Sequence, residues 1–411
     1  MKYSVDGKHL HQRLKDLGKL GRDENGVLSR LEANPGEKEG RDQVVAWMKE
    51  LDLKVAIDKI GNIFGIWETE ENKDQAPVMV GSHIDSVMNA GIYDGCYGVL
   101  GGIEVIRTLK EGGYKSPRPL VVGAFTNEEG VRYQPDMLGS LVYVGGLELD
   151  EALNTVGIDG SKLGEELEKI GYAGPEEPGF IKPYAYVELH VEQGPVLDHE
   201  GYTIGAVDSV QGISWQKITI EGEANHAGTT PTRLRVDAGL AAAKVNTFLR
   251  ERADKSNHTT VATVGSIEFQ PNLVNVIPSK ARFTVDIRNS NLEKFLEEGK
   301  ALKLYLKELE DSDMVKISTE SLAQFDPVPF DEDVILRVEK AAENRGLKYR
   351  RITSGAGHDA QMLARICPTA MIFAPSIKGI SHNPNEATDE KDLTAGANVL
   401  LDVVMDLAES N

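Results

Sequence analysis

The chain is poor in cysteine, aromatics and positive charge, and it has no long apolar run. Its 411 residues include only two cysteines, Cys96 and Cys367, far apart in sequence. Two such thiols do not support a disulfide framework and point to a reducing, cytoplasmic setting. No stretch approaches the roughly 20 apolar residues that a bilayer-spanning helix needs. The opening "MKYSVDGKHLHQRLKDLGKL" lacks the apolar centre of a signal peptide and reads as an amphipathic helix. Lys and Arg number 45 against 65 Asp and Glu, a formal net charge of −20. With no basic stripe to meet phosphates, nucleic acid and anionic membranes are not expected partners. The ordinary reading of that charge is a solvated acidic surface, with a smaller part gathered for cations.

What is present is a soluble, globular composition, 40% hydrophobic and 27% charged, without low-complexity tracts or internal repeats. The length exceeds what one simple core accommodates, so two domains are expected. From "GRDQVVAWMKELDLKVAID" onward, short apolar strands alternate with helices. "PVMVGSHIDSV", "PLVVGAFTNEEG" and "YAYVELHVEQG" read as buried strands, and "GVLGGIEVIRTLKEGGY" as a helix. That alternation predicts an α/β domain with a mainly parallel sheet, whose sites gather at the carboxyl edge of the strands. Near Gly212 the order changes to strand, helix, strand, strand, helix, strand, as in a ferredoxin-like α+β layer. "QFDPVPFDED" reads as a return linker, after which strand–helix alternation resumes. The expected organisation is a split α/β domain, residues 1–212 and 326–411, interrupted by an inserted α+β domain, residues 213–325.

Several polar groups stand where apolar strands end. His83 and Asp85 lie in "GSHIDSV", Asp94 in the glycine-rich "AGIYDGCYG", Glu128 and Glu129 in "FTNEEG", His190 in "ELHVEQG", His226 in "NHAGTTP" and His382 in "GISHNPNEATD". Singly, each has an ordinary explanation: a hydrogen-bonded strand-end histidine, a turn-forming aspartate, a solvated acidic helix start. Their coincidence at the ends of one sheet argues otherwise, because polar groups among apolar strands are costly unless paired or metal-bound. Imidazoles mixed with carboxylates suit zinc or a similar divalent ion. Two ions about 3.5–4 Å apart need a bridging carboxylate, terminal ligands and a shared water. Asp85 could accept the second ring proton of His83. One of the paired glutamates could ligate while the other takes a proton from water. Cys96 reads as a small packing residue rather than a soft ligand.

Together, "GSHIDSV", "GIYDGCYGV", "FTNEEGVRY", "ELHVEQGPVL", "NHAGTTP", "NVIP", "DIR", "SGAGHDAQ" and "ISHNPNEATD" resemble the dinuclear zinc amidohydrolases related to aminoacylase and carboxypeptidase G. The resemblance is strongest to the branch of N-carbamoyl-L-amino acid hydrolase, β-ureidopropionase and allantoate amidohydrolase, and it spans nearly the whole chain in order. It implies a split metal-binding domain with an inserted lid that also dimerises, hence a homodimer. It implies two divalent ions per subunit, zinc first, with manganese, cobalt or nickel also acceptable to this ligand set. His83 and His190 would bind one ion, Glu129 and His382 the other, and Asp94 would bridge. Glu128 would be the general base, with Asp85 behind His83. A histidine at position 190, where peptidase relatives carry a carboxylate, favours the ureido-cleaving branch. Arg288 and Asn275 would meet the substrate, Arg288 as a fork for a carboxylate. His226 would stabilise the oxyanion, and Gln193 and His358 would lie near the ureido and carboxylate groups. The implied substrate is a small ureido acid bearing a carboxylate. An aminoacylase, a dipeptidase or a non-catalytic scaffold is a more distant alternative. Relatives often carry an aromatic residue at the position of Ala387 and a methionine at that of Thr232, so the pocket shape departs from the family pattern.

Overall fold

The computed structural model describes residues 2–257 and 259–410. Its strands are β1 (Lys54–Ile57), β2 (Ile63–Trp67), β3 (Val78–His83), β4 (Leu120–Phe125), β5 (Ala185–Val191), β6 (Ile204–Val210), β7 (Gly212–Glu221), β8 (Thr260–Gln270), β9 (Lys280–Asn289), β10 (Lys316–Phe325), β11 (Val328–Pro329), β12 (Tyr349–Ser354) and β13 (Thr369–Ala374). The chain forms two compact units: residues 1–208 with 330–411, and Ser209–Pro329.

In the first unit the strands run in the order β1-β2-β4-β3-β5-β13-β6, with β12 also on β6. The centre is parallel: β4 with β3, β3 with β5, and β5 with β13. The flanks are antiparallel, β1 with β2, β2 with β4, and β13 with β6. The sheet is therefore mixed rather than mainly parallel, and only its middle has the expected form. That middle is the part that matters for chemistry, because parallel strands present their carboxyl ends at one edge. β3, β4, β5 and β13 are buried along their whole length. This is why they read as unbroken apolar runs rather than as alternating ones.

The helix Cys96–Glu111 packs against this sheet and is buried from Cys96 to Ile106. A Cβ on Gly98 would lie 2.5 Å from the carbonyl oxygen of Leu189, so glycine lets this helix approach β5 closely. The helix Pro35–Glu50 starts with Asn34 accepting the Glu37 N–H and proline in its first turn, as helix starts favour. Among the described residues no helix is long and apolar enough to cross a membrane.

The second unit is a four-stranded sheet in the order β10-β7-β9-β8, antiparallel throughout. Its helices are Ala238–Lys255 and Leu292–Asp313, started by Asp237 and Asn291. The strand–helix–strand–strand–helix–strand sequence and this strand order give the ferredoxin-like layer. Ile218, Ile220, Phe283, Val285 and Ile287 meet Val245, Leu249, Leu302, Leu306 and Leu309 in one core. β11 pairs with the last two residues of β6.

Candidate metal centre

Five elements of the first unit supply the site. His83 ends β3, and the loop before helix Cys96–Glu111 carries Asp94. The turn after β4 carries Glu128 and Glu129. His190 lies on β5, and His382 comes from the loop that follows β13. All of these except the half-exposed His382 are largely buried.

Asp94 lies at the centre and its two oxygens face different ways. Oδ1 is 3.2 Å from His190 Nε2 and 3.6 Å from His83 Nε2. Oδ2 is 3.3 Å from His382 Nε2, which is itself 3.3 Å from Glu129 Oε2. Besides Glu188–His190–His358, two groups with metal-ligand spacing result among the described residues, His83–Asp94–His190 and Asp94–Glu129–His382, and Asp94 is common to these two. Glu128 belongs to neither. Its Oε2 lies 3.3 Å from His83 Nε2.

The histidine tautomers follow from the main chain. His83 Nδ1 donates to the Asp85 carbonyl oxygen at 3.0 Å, and His190 Nδ1 donates to the Val191 carbonyl oxygen at 2.8 Å. A carbonyl can only accept, so the Nδ1 proton is fixed and Nε2 is the nitrogen that faces Asp94, as a proton donor in the imidazolium or as a lone pair in the neutral ring. The Gly95 N–H also points at His190 Nε2, from 3.1 Å. With a cation between them, the two Nε2 atoms would give their lone pairs to it instead of a proton to Asp94.

The expectation for Asp85 needs correcting in one respect. The His83 ring proton goes to its backbone carbonyl, while the carboxylate is 3.5 Å from Nδ1. The carboxylate instead accepts the N–H groups of Glu128 and Glu129, each at 3.2 Å. Asp85 thus holds His83 with one group and the acidic turn with another.

The electrostatics of the cluster call for a cation. Burial, then the charge of Asp94, pushes the Glu129 carboxyl up to about 8. Burial also pushes Glu128 well above the usual carboxylate range, with His83 opposing and Asp359 and Glu129 adding to the rise. For Asp94 burial acts upward too, but hydrogen bonds from His190, His382 and His83 outweigh it and hold the group well below that range. Hydrogen bonding to Asp94 raises His382 to about 9. Glu129 Oε1 is buried with no hydrogen-bond partner. Inward-facing Nε2 atoms, a two-faced central carboxylate and this unpartnered oxygen are the donor set of hard and borderline divalent ions. The thiol of Cys96 stays out of it, since it faces Arg30 Nη2 at 3.0 Å.

Local backbone conformation serves the same end. Gly95 has φ +62°, and a Cβ there would lie 2.4 Å from the His83 ring. Asn127, Gln193 and His382 all adopt the left-handed region, φ 55°, 57° and 51°. Such conformations persist where surrounding contacts impose them, and they cluster at functional sites.

Gln193 donates to Asp94 Oδ2 at 2.8 Å and so joins the cluster. His358 packs against His190, ring centroids 4.6 Å apart, with Nε2 2.9 Å from the Ser354 hydroxyl. Its Nδ1 is buried and unpartnered. His226, Asn275 and Arg288 belong to the second unit. There His226 Nδ1 accepts the N–H groups of Gly228 and Thr229 at 3.0 and 3.2 Å, which puts its ring proton on Nε2. Arg288 forms an ion pair with Asp286 two residues away on β9. Sequence reasoning missed Glu386, whose Oε2 accepts the N–H groups of Tyr93 and Asp94 at 3.0 and 3.3 Å. It stands inside the quoted "SHNPNEATD", so its closeness to His382 was the available signal.

Comparison with known proteins gives the family. The profile described as peptidase family M20/M25/M40 matches residues 79–406. The chain is similar to an N-carbamoyl-L-amino acid amidohydrolase of Geobacillus stearothermophilus, 39% identical over 98% of this chain and 99% of that one. It is also similar to an allantoate amidohydrolase of Escherichia coli, 34% identical over 97% and 98%. Among solved structures, an amidase of the hydantoinase/carbamoylase family from Burkholderia multivorans superimposes with a TM-score of 0.97 at 40% identity, each chain covered completely.

Proposed function

Because the chain belongs to peptidase family M20/M25/M40 and is a hydrolase of amide bonds, we propose that it cleaves the ureido C–N bond of N-carbamoyl-L-amino acids. One water is consumed, and the amino acid, ammonia and carbon dioxide are released. The observation that carries this reading is Asp94, whose two oxygens serve two separate ligand groups. His83 and His190 would hold one divalent ion and Glu129 and His382 the other. Such ions supply Lewis acidity and make water acidic enough to lose a proton near neutral pH.

The chain's own residues do the rest. Glu128, left outside both ligand groups, takes the proton of the attacking water on its carboxylate and returns it to the departing nitrogen. As the ureido oxygen becomes negative, the Nε2–H of His226 is the proposed donor to it. Arg288 and Asn275 are proposed to receive the substrate carboxylate, and Gln193 and His358 to border the ureido group. Zinc is the first expectation for the ions. A homodimer through the second unit belongs to the same proposal, supported by β8, an edge strand with Val261 and Ile267 exposed.

Similarity to an allantoate amidohydrolase keeps a second substrate in view, since allantoate is also a ureido acid with a carboxylate. The deciding experiment is ammonia release by the zinc- or manganese-loaded protein from N-carbamoyl-L-amino acids, N-carbamoyl-β-alanine and allantoate. Turnover is expected to be fastest with the first. Glu128→Gln should keep its metal and lose about 10²–10⁴ in kcat. Wild-type turnover by that variant removes the base from the mechanism.

A further inference from the structure

Three consecutive backbone N–H groups in the acidic turn are taken up by two buried carboxylates. Glu32 Oε2 accepts the N–H of Asn127 at 2.8 Å, and Asp85 accepts those of Glu128 and Glu129. The other oxygen of Glu32, Oε1, receives Arg41 Nη2 at 2.9 Å. Arg41 also donates to the Glu37 carboxylate, to the Gly61 carbonyl at 2.6 Å and to the Thr126 hydroxyl at 3.2 Å. Glu32, Glu37 and Arg41 are all buried.

A buried ion pair is a poor device for stability alone, because apolar replacements of similar volume are often neutral or better. This one sits directly behind a strained residue. Asn127 has φ 55° and precedes Glu128, and its side chain is tied to the carbonyl oxygens of Tyr133 and Pro135. Burial pushes the Glu32 carboxyl up to about 8. Both of its oxygens nevertheless face donors, so a proton would have nothing to bond and the carboxylate is the form these contacts require.

We propose that Glu32, held by Arg41, is a positioning residue for the hydrolytic reaction. It fixes the Asn127 peptide so that Glu128 and Glu129 diverge, one towards His83 and the other towards His382. The inference rests on the reading of Glu128 as the base and Glu129 as a ligand.

Glu32→Gln tests it. The amide has one acceptor oxygen; if Arg41 keeps it, the amide NH2 meets the Asn127 N–H, donor against donor. Metal-loaded Glu32→Gln, with an N-carbamoyl-L-amino acid as substrate, should lose about tenfold or more in kcat, as displacement of a catalytic group does. KM should stay within about threefold and metal content should be unchanged. Glu37→Gln is the control, since it disturbs the same arginine without touching the turn. It should lose comparable thermal stability and keep kcat within about twofold. Equal kcat in the two variants overturns the proposal. If Glu32→Gln does not fold, Glu32→Asp keeps the charge facing Arg41 but withdraws the acceptor from Asn127. A loss of about fivefold or more is then expected, and full kcat overturns the inference. A fully active Glu128→Gln would sink the base assignment. A dead Glu128→Gln beside fully active Glu32 variants would sink only the positioning role.

Discussion

Removing the metal should make the stability of this protein fall with rising pH. The cluster gathers the carboxyls of Asp85, Asp94, Glu128 and Glu129 in a buried place. Without a cation, burial and the charge of Asp94 hold Glu129 at about 8 against 4.5 for an ordinary glutamate. A group raised in the folded state contributes stability that is complete below its unfolded value and lost as pH passes its folded value. For Glu129 that window runs from about pH 4.5 to 8, and the difference corresponds to about 5 kcal/mol. Glu128 is raised as well and acts in the same direction. His382, raised from 6.5 to about 9 by its hydrogen bond to Asp94, extends the decline upward, with a contribution discounted for its half-exposed side chain. Asp94 is shifted downward, so its contribution is lost only below the ordinary carboxylate range, outside this window. A loss of about 5 kcal/mol lowers Tm by on the order of 10 °C in a domain of a few hundred residues. The assay is differential scanning calorimetry of exhaustively chelated and zinc-loaded protein at intervals from pH 5 to 9. Chelated protein should lose Tm steadily, and the gap to the loaded protein should widen, because ligands bind metal only when deprotonated. A flat Tm in the chelated protein, or parallel curves for the two forms, would refute the argument that these acids require a cation.

Two further substitutions probe the geometry. Gly95→Ala would place a Cβ against a His83 ring that cannot retreat, because its Nδ1 is held by Asp85, and would add about 1–2 kcal/mol of left-handed backbone strain. Its zinc content by elemental analysis should fall clearly below that of the unaltered protein; equal content would contradict the close packing of that loop on the ring. His226→Ala should leave Tm within about a degree, since the side chain is exposed, and lower kcat by about 10²–10³ as loss of an oxyanion donor does. A change confined to KM would instead make His226 a binding residue.

Apolar runs made β3, β4, β5 and β13 legible because each is buried along its whole length. β2, "IFGIW", and β6, "IGAVDSV", are interrupted by glycine or aspartate and escape that reading. The antiparallel flanks escape it too, since strand direction is set by connections rather than by local pattern. Within the site, the residue types with metal chemistry stood out at the strand ends. The contacts that orient them did not. The carbonyls that fix His83 and His190 are main-chain atoms, identical at every position in a sequence. Glu32 and Arg41 lie in "RLEANPGEKEGRDQ", which carries every mark of a solvated helix start, yet both are buried.

The adjacency of Glu128 and Glu129 can be explained on these terms. Two like charges side by side in a core are tolerated only if each has its own positive neighbour and they are kept apart. Asp85 takes one N–H from each, which orients the two peptides, and the left-handed Asn127 turns the chain just ahead of them. Glu128 Oε2 then faces His83 Nε2, while Glu129 Oε2 faces His382 Nε2, each at 3.3 Å. Only Glu129 also stands at ligand distance from Asp94 and His382 together. The asymmetry is therefore built into the backbone, which places Glu129 in a candidate ligand group with Asp94 and His382 and leaves Glu128 outside it, beside His83.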